Sequence, residues 1–209
     1  MPRVSRAEAQ QHRQQVIDHT SRLIREKGAD QVSVPQAMAA AGLTHGGFYR
    51  HFASKDDLVV QALRAAFTER REAMDRLAEA APEEAGPEAR SGRDEFLARY
   101  LSGLHRDHPA AGCAAATLAA DAARAEPGAP IRTAFTAGLS DLVDGYRQLT
   151  AVQDGADGTD GADGRADRET ALAELSTLVG AILLARASED RELSEEILAA
   201  ARRHLDAPA

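Results

Sequence analysis

Apolar side chains recur along most of this chain three or four residues apart, the spacing of a helix that packs one face against a core. The first such run extends from about Ala9 to Lys27, and Gly28 follows it as a stop signal. Its apolar face contains Val16, Ile17, Thr20, Leu23 and Ile24. No run of alternating β-branched residues interrupts the helical spacing. The pattern therefore predicts an all-α fold.

A second and a third helix are predicted after the first. Ser33 and Gln36 have the spacing of a capping box, in which the two side chains satisfy backbone groups of the first helical turn. The second helix should stop at Gly42, where a short turn begins. Thr44 is placed to cap a third helix. Two short helices joined by a turn that contains glycine are typical of a helix-turn-helix motif.

The rest of the chain is also predicted to be helical. Ser54 marks the start of a fourth helix that should run to about Glu79. Further helices are predicted at 93–107, 114–125, 130–150, 169–188 and 191–205. The arrangement suggests an N-terminal domain at 9–69, with the helix-turn-helix motif at 33–52, and a helical domain at 70–209.

One segment of low complexity, DGADGTDGADGRAD at 154–167, interrupts the second domain. Asp-rich and Gly-rich loops can bind calcium, but a calcium loop of the EF-hand type places its acids at alternate positions and ends on a bidentate Glu. In this segment the acids lie three residues apart and Arg165 is near the end. We therefore predict a flexible surface loop and no metal site.

Charge separates the two predicted domains. Residues 1–71 contain 11 Lys and Arg against 7 Asp and Glu, whereas the whole chain has a net charge of −8. The head is therefore basic and the body strongly acidic, which indicates that only the head meets a polyanion. With a single cysteine, no apolar leader and no apolar stretch judged long enough to cross a bilayer, we expect a cytoplasmic protein without membrane contact.

The stretch THGGFYRHF at 44–52 combines two glycines with the densest cluster of basic and aromatic residues. Each glycine costs a helix interior about 1 kcal/mol relative to alanine. In a helix-turn-helix motif the second helix enters the major groove with its N-terminal residues nearest the bases. A glycine there lets the backbone approach the duplex closely. Nucleic-acid binding therefore explains the glycine pair.

The same residues resemble the N-terminal domain of the TetR/AcrR family of transcriptional regulators over residues 11–67. The similarity is carried by Ala41-Gly42-Leu43-Thr44, by Gly47-Phe48-Tyr49-Arg50-His51-Phe52 and by Ser54-Lys55-Asp56-Asp57-Leu58. It implies a homodimer with a DNA-binding head and a helical effector-binding body. It also implies a repressor that a small effector releases from a palindromic operator, without a cofactor.

Carried over position by position, the resemblance implies a set of DNA-binding residues, which are Ser33, Val34, Pro35, Thr44, His45, Gly46, Gly47, Tyr49, Arg50, His51 and Lys55. Thr44, His45 and Gly46 would lie at base edges. The phosphate contacts, which fix the register of the protein on the DNA, would come from Tyr49, Arg50, His51 and Lys55. Plainer roles stay open: Ser33 and Thr44 could only cap helices, and Tyr49 could only pack. The histidines could be solvated surface residues.

The resemblance and the helical spacing also suggest roles for the body. A dimer interface is expected on the last two helices, at Leu175, Val179, Ile182, Leu183 and Ile197. An apolar effector pocket is expected at Phe96, Tyr100, Leu104, Cys113, Leu118, Phe135, Leu139 and Tyr146. Either set could instead fill an ordinary core.

Two further hypotheses concern the function itself. Cys113 is predicted at a helix N-terminus, which favours the thiolate, so the chain could be a regulator that senses electrophiles or oxidants. Alternatively, it could be a helical interaction module that binds no DNA. An enzyme is not expected, because the sequence lacks a nucleophile elbow, a phosphate-binding glycine loop and a zinc-protease motif.

Overall fold

A computed structural model describes residues 5–80, 91–154 and 162–207. The described residues are helical, as predicted, and contain no strand. The α-helices are α1 (Arg6–Lys27), α2 (Val34–Ala40), α3 (Lys55–Glu79), α4 (Gly92–Tyr100), α5 (Gly103–Asp107), α6 (Ala114–Arg124), α7 (Pro130–Asp154), α8 (Ala162–Ala187) and α9 (Arg191–Asp206). Two 3₁₀ segments are also present: His45–Arg50 lies between α2 and α3, and Pro109–Ala111 lies between α5 and α6.

The helices form two compact units, the first from residues 1–68 and 109–138 and the second from 69–108 and 139–209, within the described ranges. In the first unit α1 packs against α2, α6 and the segment Pro109–Ala111. Its core includes Val16, Ile24, Phe48 and Leu63, all fully buried. The predicted domain limits at 9–69 and 70–209 stay a prediction.

The second unit has an aromatic and polar core. Phe96 lies 5.5 Å from Tyr100 and 5.6 Å from Tyr146 between ring centroids. The Tyr146 hydroxyl donates to Glu174 Oε2 at 2.5 Å, and Glu174 Oε1 accepts from Arg93 Nη2 at 2.5 Å. Burial raises the pKa of Tyr146 far above its usual value, so this phenol stays a donor. The network connects α4, α7 and α8.

Three of the predicted elements differ from the structure by more than a few terminal residues. The helix expected at 93–107 breaks after Tyr100, because the Ser102 hydroxyl accepts from the backbone N–H of His105 and starts α5. The third helix is a 3₁₀ segment, in which the backbone N–H of Gly47 donates to the carbonyl of Thr44 three residues earlier. Helix α8 begins at Ala162, so residues 162–167 of the predicted loop are helical. Residues 155–161 lie outside the described part of the chain.

Within the described residues, one segment is long and apolar enough to cross a membrane by length and composition. It is Asp167–Ala187 in α8, with a mean hydropathy of 1.4 over its most apolar window. The expectation that no stretch would meet this criterion is therefore wrong. Many leucines and alanines and few charged residues keep the mean hydropathy of this segment high. A core helix meets the same criterion, and α8 packs against α9 and α5.

Candidate nucleic-acid interface

The helix-turn-helix motif begins at the predicted capping box. The Ser33 hydroxyl accepts from the backbone N–H of Gln36 at 3.4 Å, and the backbone N–H of Ser33 donates to Gln36 Oε1 at 2.9 Å. Ala37 and Met38 on the opposite side of α2 are each 1% exposed. The cap fixes the start of α2 while leaving Ser33 and Pro35 at the surface and Val34 half-buried.

The turn after α2 sets the direction of the next segment. Gly42 has a φ of +71°, a value that side-chain-bearing residues rarely adopt. Thr44 does not cap through its side chain, contrary to the prediction. A capping hydroxyl would accept from the backbone N–H of Gly47, but that N–H already donates to the carbonyl of Thr44 at 3.1 Å. Thr44 is therefore exposed, with its hydroxyl uncommitted to a cap, at the N-terminal end of the next segment.

The segment His45–Arg50, here called the glycine segment, has one buried and one exposed side. Phe48 is 0% exposed, and its ring lies 5.5 Å from that of Phe52, which is also buried. Tyr49 is 78% exposed, which excludes the interpretation that it only packs. His45, Gly46 and Arg50 are exposed as well. Two phenylalanines thus anchor the segment and turn its polar side to solvent.

Neither glycine of this segment is needed by the fold. A Cβ built on Gly46 meets no atom within 4 Å, and one built on Gly47 meets only the Met38 methyl group at 3.7 Å, an ordinary contact. Neither residue has a positive φ. Local geometry would therefore accept alanine at both positions.

Basic residues flank the exposed side of the segment. Burial, together with the nearby His12, Arg13 and Arg50, lowers the pKa of His51, so its ring is mainly neutral at pH 7 in the unbound protein. The Lys55 ammonium donates to the carbonyl of Asp30 at 3.2 Å, and this bond connects α3 to the turn after α1. The phosphate contacts expected of both residues stay a prediction.

The structure brings the predicted DNA-binding residues into one unit and adds Arg13, a residue that the sequence pattern does not indicate. Arg13 of α1 donates through Nε to the carbonyl of His51 at 3.3 Å. It lies 38 residues from its acceptor. No short motif signals such a bond, because the geometry of the whole head creates it.

The expected pocket residues are divided between the units. Cys113, Leu118 and Phe135 lie in the first unit, and Phe96, Tyr100, Leu104, Leu139 and Tyr146 lie in the second. Leu104 is 72% exposed. An open cleft of about 660 Å³ in the second unit contains none of these eight residues. It is lined by Arg93, Asp94, Leu97, Ala98, Leu101, Arg202 and Asp206.

The expected dimer residues differ in exposure. Leu175 and Ile182 are buried within the chain, Val179 and Ile197 are half-buried, and Leu183 is 48% exposed. Three leucines outside the expected set are also exposed on α8 and α9, namely Leu172, Leu184 and Leu193. Gly180 on α8 has open space around it. The two helices thus present apolar groups to the exterior of this chain.

Cys113 occupies the N-cap of α6, as expected, and is 0% exposed. A thiol that solvent does not reach is generally unreactive. The described residues contain no cluster of three or more His, Cys, Asp or Glu that could hold a metal ion.

Comparisons with known proteins agree with this geometry. Residues 16–62 match the family model of bacterial regulatory proteins, tetR family. The chain is 40% identical over 58 residues to the HTH-type transcriptional regulator AcrR of Shigella flexneri. That alignment spans 28% of this chain and 27% of AcrR.

Solved structures extend the likeness to the whole fold. The reduced form of NemR from E. coli has a TM-score of 0.69 at 19% identity, over 94% of this chain and 95% of NemR. A TetR transcriptional regulator from Legionella pneumophila has a TM-score of 0.70 at 17% identity, over 99% and 98% of the two chains. One from Chloroflexus aurantiacus has a TM-score of 0.68 at 24% identity, over 95% and 96%.

Proposed function

We propose that this chain, a transcriptional regulator of the TetR/AcrR family, is a dimeric cytoplasmic repressor that a small effector releases from a palindromic operator. The family and the fold are those of DNA-binding regulators and not of enzymes. One observation carries the DNA-binding part of the proposal. The glycine segment exposes Gly46, which the fold does not need, between Tyr49 and the hydroxyl of Thr44.

The chemistry of the exposed side suits a duplex. With no side chain at Gly46, the backbone of the segment can approach base edges to within contact distance. Tyr49, Arg50 and His51 then follow on the side of the segment where the phosphates would lie, and each can donate to a phosphate oxygen. The basic charge of residues 1–71 supports binding to a polyanion, whereas the acidic body would be repelled from it.

Footprinting of DNA flanking the protein's own gene tests the proposal directly. We expect protection of two half-sites related by a two-fold axis, because a symmetric dimer reads a symmetric operator. Repeating the footprint with candidate effectors should identify one that abolishes protection. Protection of a single unpaired half-site would contradict the dimeric operator, and absence of protection on any DNA would favour an interaction module.

Removing the phenol of Tyr49 should weaken binding without changing sequence preference. Tyr49→Ala is expected to lower affinity about tenfold on every duplex, the usual worth of one hydrogen bond to a charged group. Since the side chain is 78% exposed, the melting temperature should hardly change. Titrations on the operator and on an unrelated duplex give the measurement. A loss confined to the operator would show that Tyr49 reads bases.

The dimer should depend on the exposed leucines of α8 and α9. Leu184 is 60% exposed, so Leu184→Glu is compatible with the folded chain but would place a charge in an apolar interface. We expect the dimer to dissociate to monomers at micromolar concentrations, measured by sedimentation velocity. Leu104→Glu is the matched control, since Leu104 is 72% exposed on α5. A Leu184→Glu protein that sediments as the wild type would contradict this interface.

A further inference from the structure

Arg13 makes three contacts at the end of the glycine segment, although it belongs to α1 and lies outside the helix-turn-helix motif. Its Nε donates to the carbonyl of His51 at 3.3 Å, and its Nη2 donates to Oε1 of Gln61. Its guanidinium carbon lies 5.3 Å from the centre of the Phe52 ring. One planar cation therefore joins α1, the residues after the segment, and α3.

Gln61 extends these contacts into the link between the segment and α3. Gln61 Nε2 donates to Asp57 Oδ1 at 2.7 Å, and Asp57 Oδ2 accepts from the backbone N–H of Ala53 at 3.0 Å. The hydrogen bonds from Ala53 and Gln61 lower the pKa of Asp57, so its carboxylate stays ionised in this role. Both ends of the link, His51 and Ala53, are thus held by one chain of hydrogen bonds. We call Arg13, Gln61 and Asp57 the Arg13 clamp.

The glycine segment needs such a restraint. It is a short 3₁₀ helix with two glycines, so its own hydrogen bonds stabilise it weakly. Phe48 and Phe52 hold it by apolar contact, which is non-directional and permits small rotations about the segment axis. A hydrogen bond to the carbonyl of His51 is directional and opposes such a rotation.

We propose that Arg13 is a positioning residue for DNA recognition. Through the Arg13 clamp it fixes the rotation of the glycine segment and therefore the direction in which Tyr49 and His51 meet the duplex. This inference rests on the proposed DNA-binding function. It differs from a phosphate contact by Arg13, in which the guanidinium would leave the His51 carbonyl and bind the DNA backbone.

The test uses the full chain and a duplex that the wild-type protein selects from a random library. Arg13→Gln should lower affinity for the selected duplex about tenfold and affinity for an unrelated duplex less than about twofold, because positioning affects sequence readout most. The dependence of log K on log salt should keep its slope, whereas loss of a phosphate contact lowers the magnitude of the slope by about 0.9.

Companion variants separate positioning from charge. Arg13→Lys keeps the charge but loses the planar fork, so it should behave like Arg13→Gln. Gln61→Leu combined with Arg13→Gln should be little worse than Arg13→Gln alone, because both act through one network. Arg22→Gln is the charge-matched control, since Arg22 is exposed on the same helix.

Hydrogen exchange of the free protein provides a readout that needs no DNA. In Arg13→Gln the backbone amides of His51, Phe52 and Ala53 should exchange faster, while those in the middle of α1 and α3 keep their rates. A lowered salt slope together with equal losses on both duplexes would overturn the proposal in favour of a phosphate contact. Unchanged exchange, or unchanged affinity for the selected duplex, would overturn it as well. If the wild type selects no duplex, the proposed function itself fails. The exchange data distinguish that case, because they show without DNA whether Arg13 restrains the segment.

Discussion

Replacing Gly46 with leucine should leave the chain as stable as before, or slightly more stable, and lower its affinity for operator DNA by roughly 5- to 150-fold. A Cβ at this position meets no atom of the chain within 4 Å, and the backbone has no positive φ that a side chain would strain. Replacing glycine also reduces the freedom of the unfolded chain, which favours folding by about 0.4–1 kcal/mol.

The expected loss of affinity comes from a steric clash with the duplex and not from a change in the fold of the protein. If the backbone of the glycine segment lies against base edges, a leucine side chain there separates the two surfaces. Overpacking at a closely fitted contact costs about 1–3 kcal/mol. Gly46→Ala should therefore show a smaller loss than Gly46→Leu, in proportion to side-chain volume. Affinity is measured on the operator at constant salt, and stability by denaturant unfolding of the unbound protein.

Gly42 provides the comparison variant four residues earlier. Its φ of +71° makes alanine unfavourable, so Gly42→Ala should destabilise the head by about 1–2 kcal/mol. Once folded, that variant should bind the operator nearly as well as the wild type. The opposite behaviour of the two glycines distinguishes a conformational requirement from close approach to DNA. Unchanged affinity in Gly46→Leu would show that Gly46 does not lie at the duplex.

Acidification from pH 6.5 to pH 4 should destabilise the protein by about 3 kcal/mol through His105 alone. Burial lowers the pKa of His105 to about 4, and the positive charges of Arg70 and Arg186 act in the same direction. The hydrogen bond between Nδ1 and the carbonyl of Tyr100, 2.7 Å long, opposes the shift without cancelling it. The ring is therefore neutral in the folded protein at neutral pH.

The sign follows from proton binding. An unfolded chain protonates His105 near pH 6.5, whereas the folded chain does so only near pH 4. Between these values the unfolded state binds more protons, so the free energy of unfolding falls as the pH falls. His105→Asn keeps a donor near the Tyr100 carbonyl but does not titrate. As the pH falls over this range, the free energy of unfolding of the wild type should decrease by about 3 kcal/mol relative to that of His105→Asn. A pH-independent difference would contradict a buried neutral histidine.

The features that the sequence predicts correctly are those decided by local signals. The capping box at Ser33 and Gln36 and the start of α3 at Ser54 are decided by residues within one helical turn, and the structure confirms both. The apolar spacing of α1 predicted its buried face, including Val16 and Ile24. The exposure of Tyr49 was not decided by spacing, since an aromatic residue beside Phe48 could equally have packed.

What the sequence could not show depends either on contacts between distant residues or on a competition between nearby acceptors for the same backbone donor. Arg13 bonds a carbonyl 38 positions away, and no short pattern indicates that acceptor. The 3₁₀ form of the glycine segment and the missing Thr44 cap reflect a competition between main-chain and side-chain acceptors that propensity does not decide. The exposed Leu104 likewise depends on the break between α4 and α5, which Ser102 creates.

A salt titration measures whether the basic head binds duplex DNA through its phosphates. The affinity of the full chain for DNA flanking its own gene is measured by fluorescence anisotropy across a range of salt concentrations. A head that neutralises several phosphates predicts a straight line of log K against log salt, with a slope of about −0.9 for each phosphate. Affinity that does not change with salt, or no binding at the lowest salt, would contradict DNA binding through the phosphates.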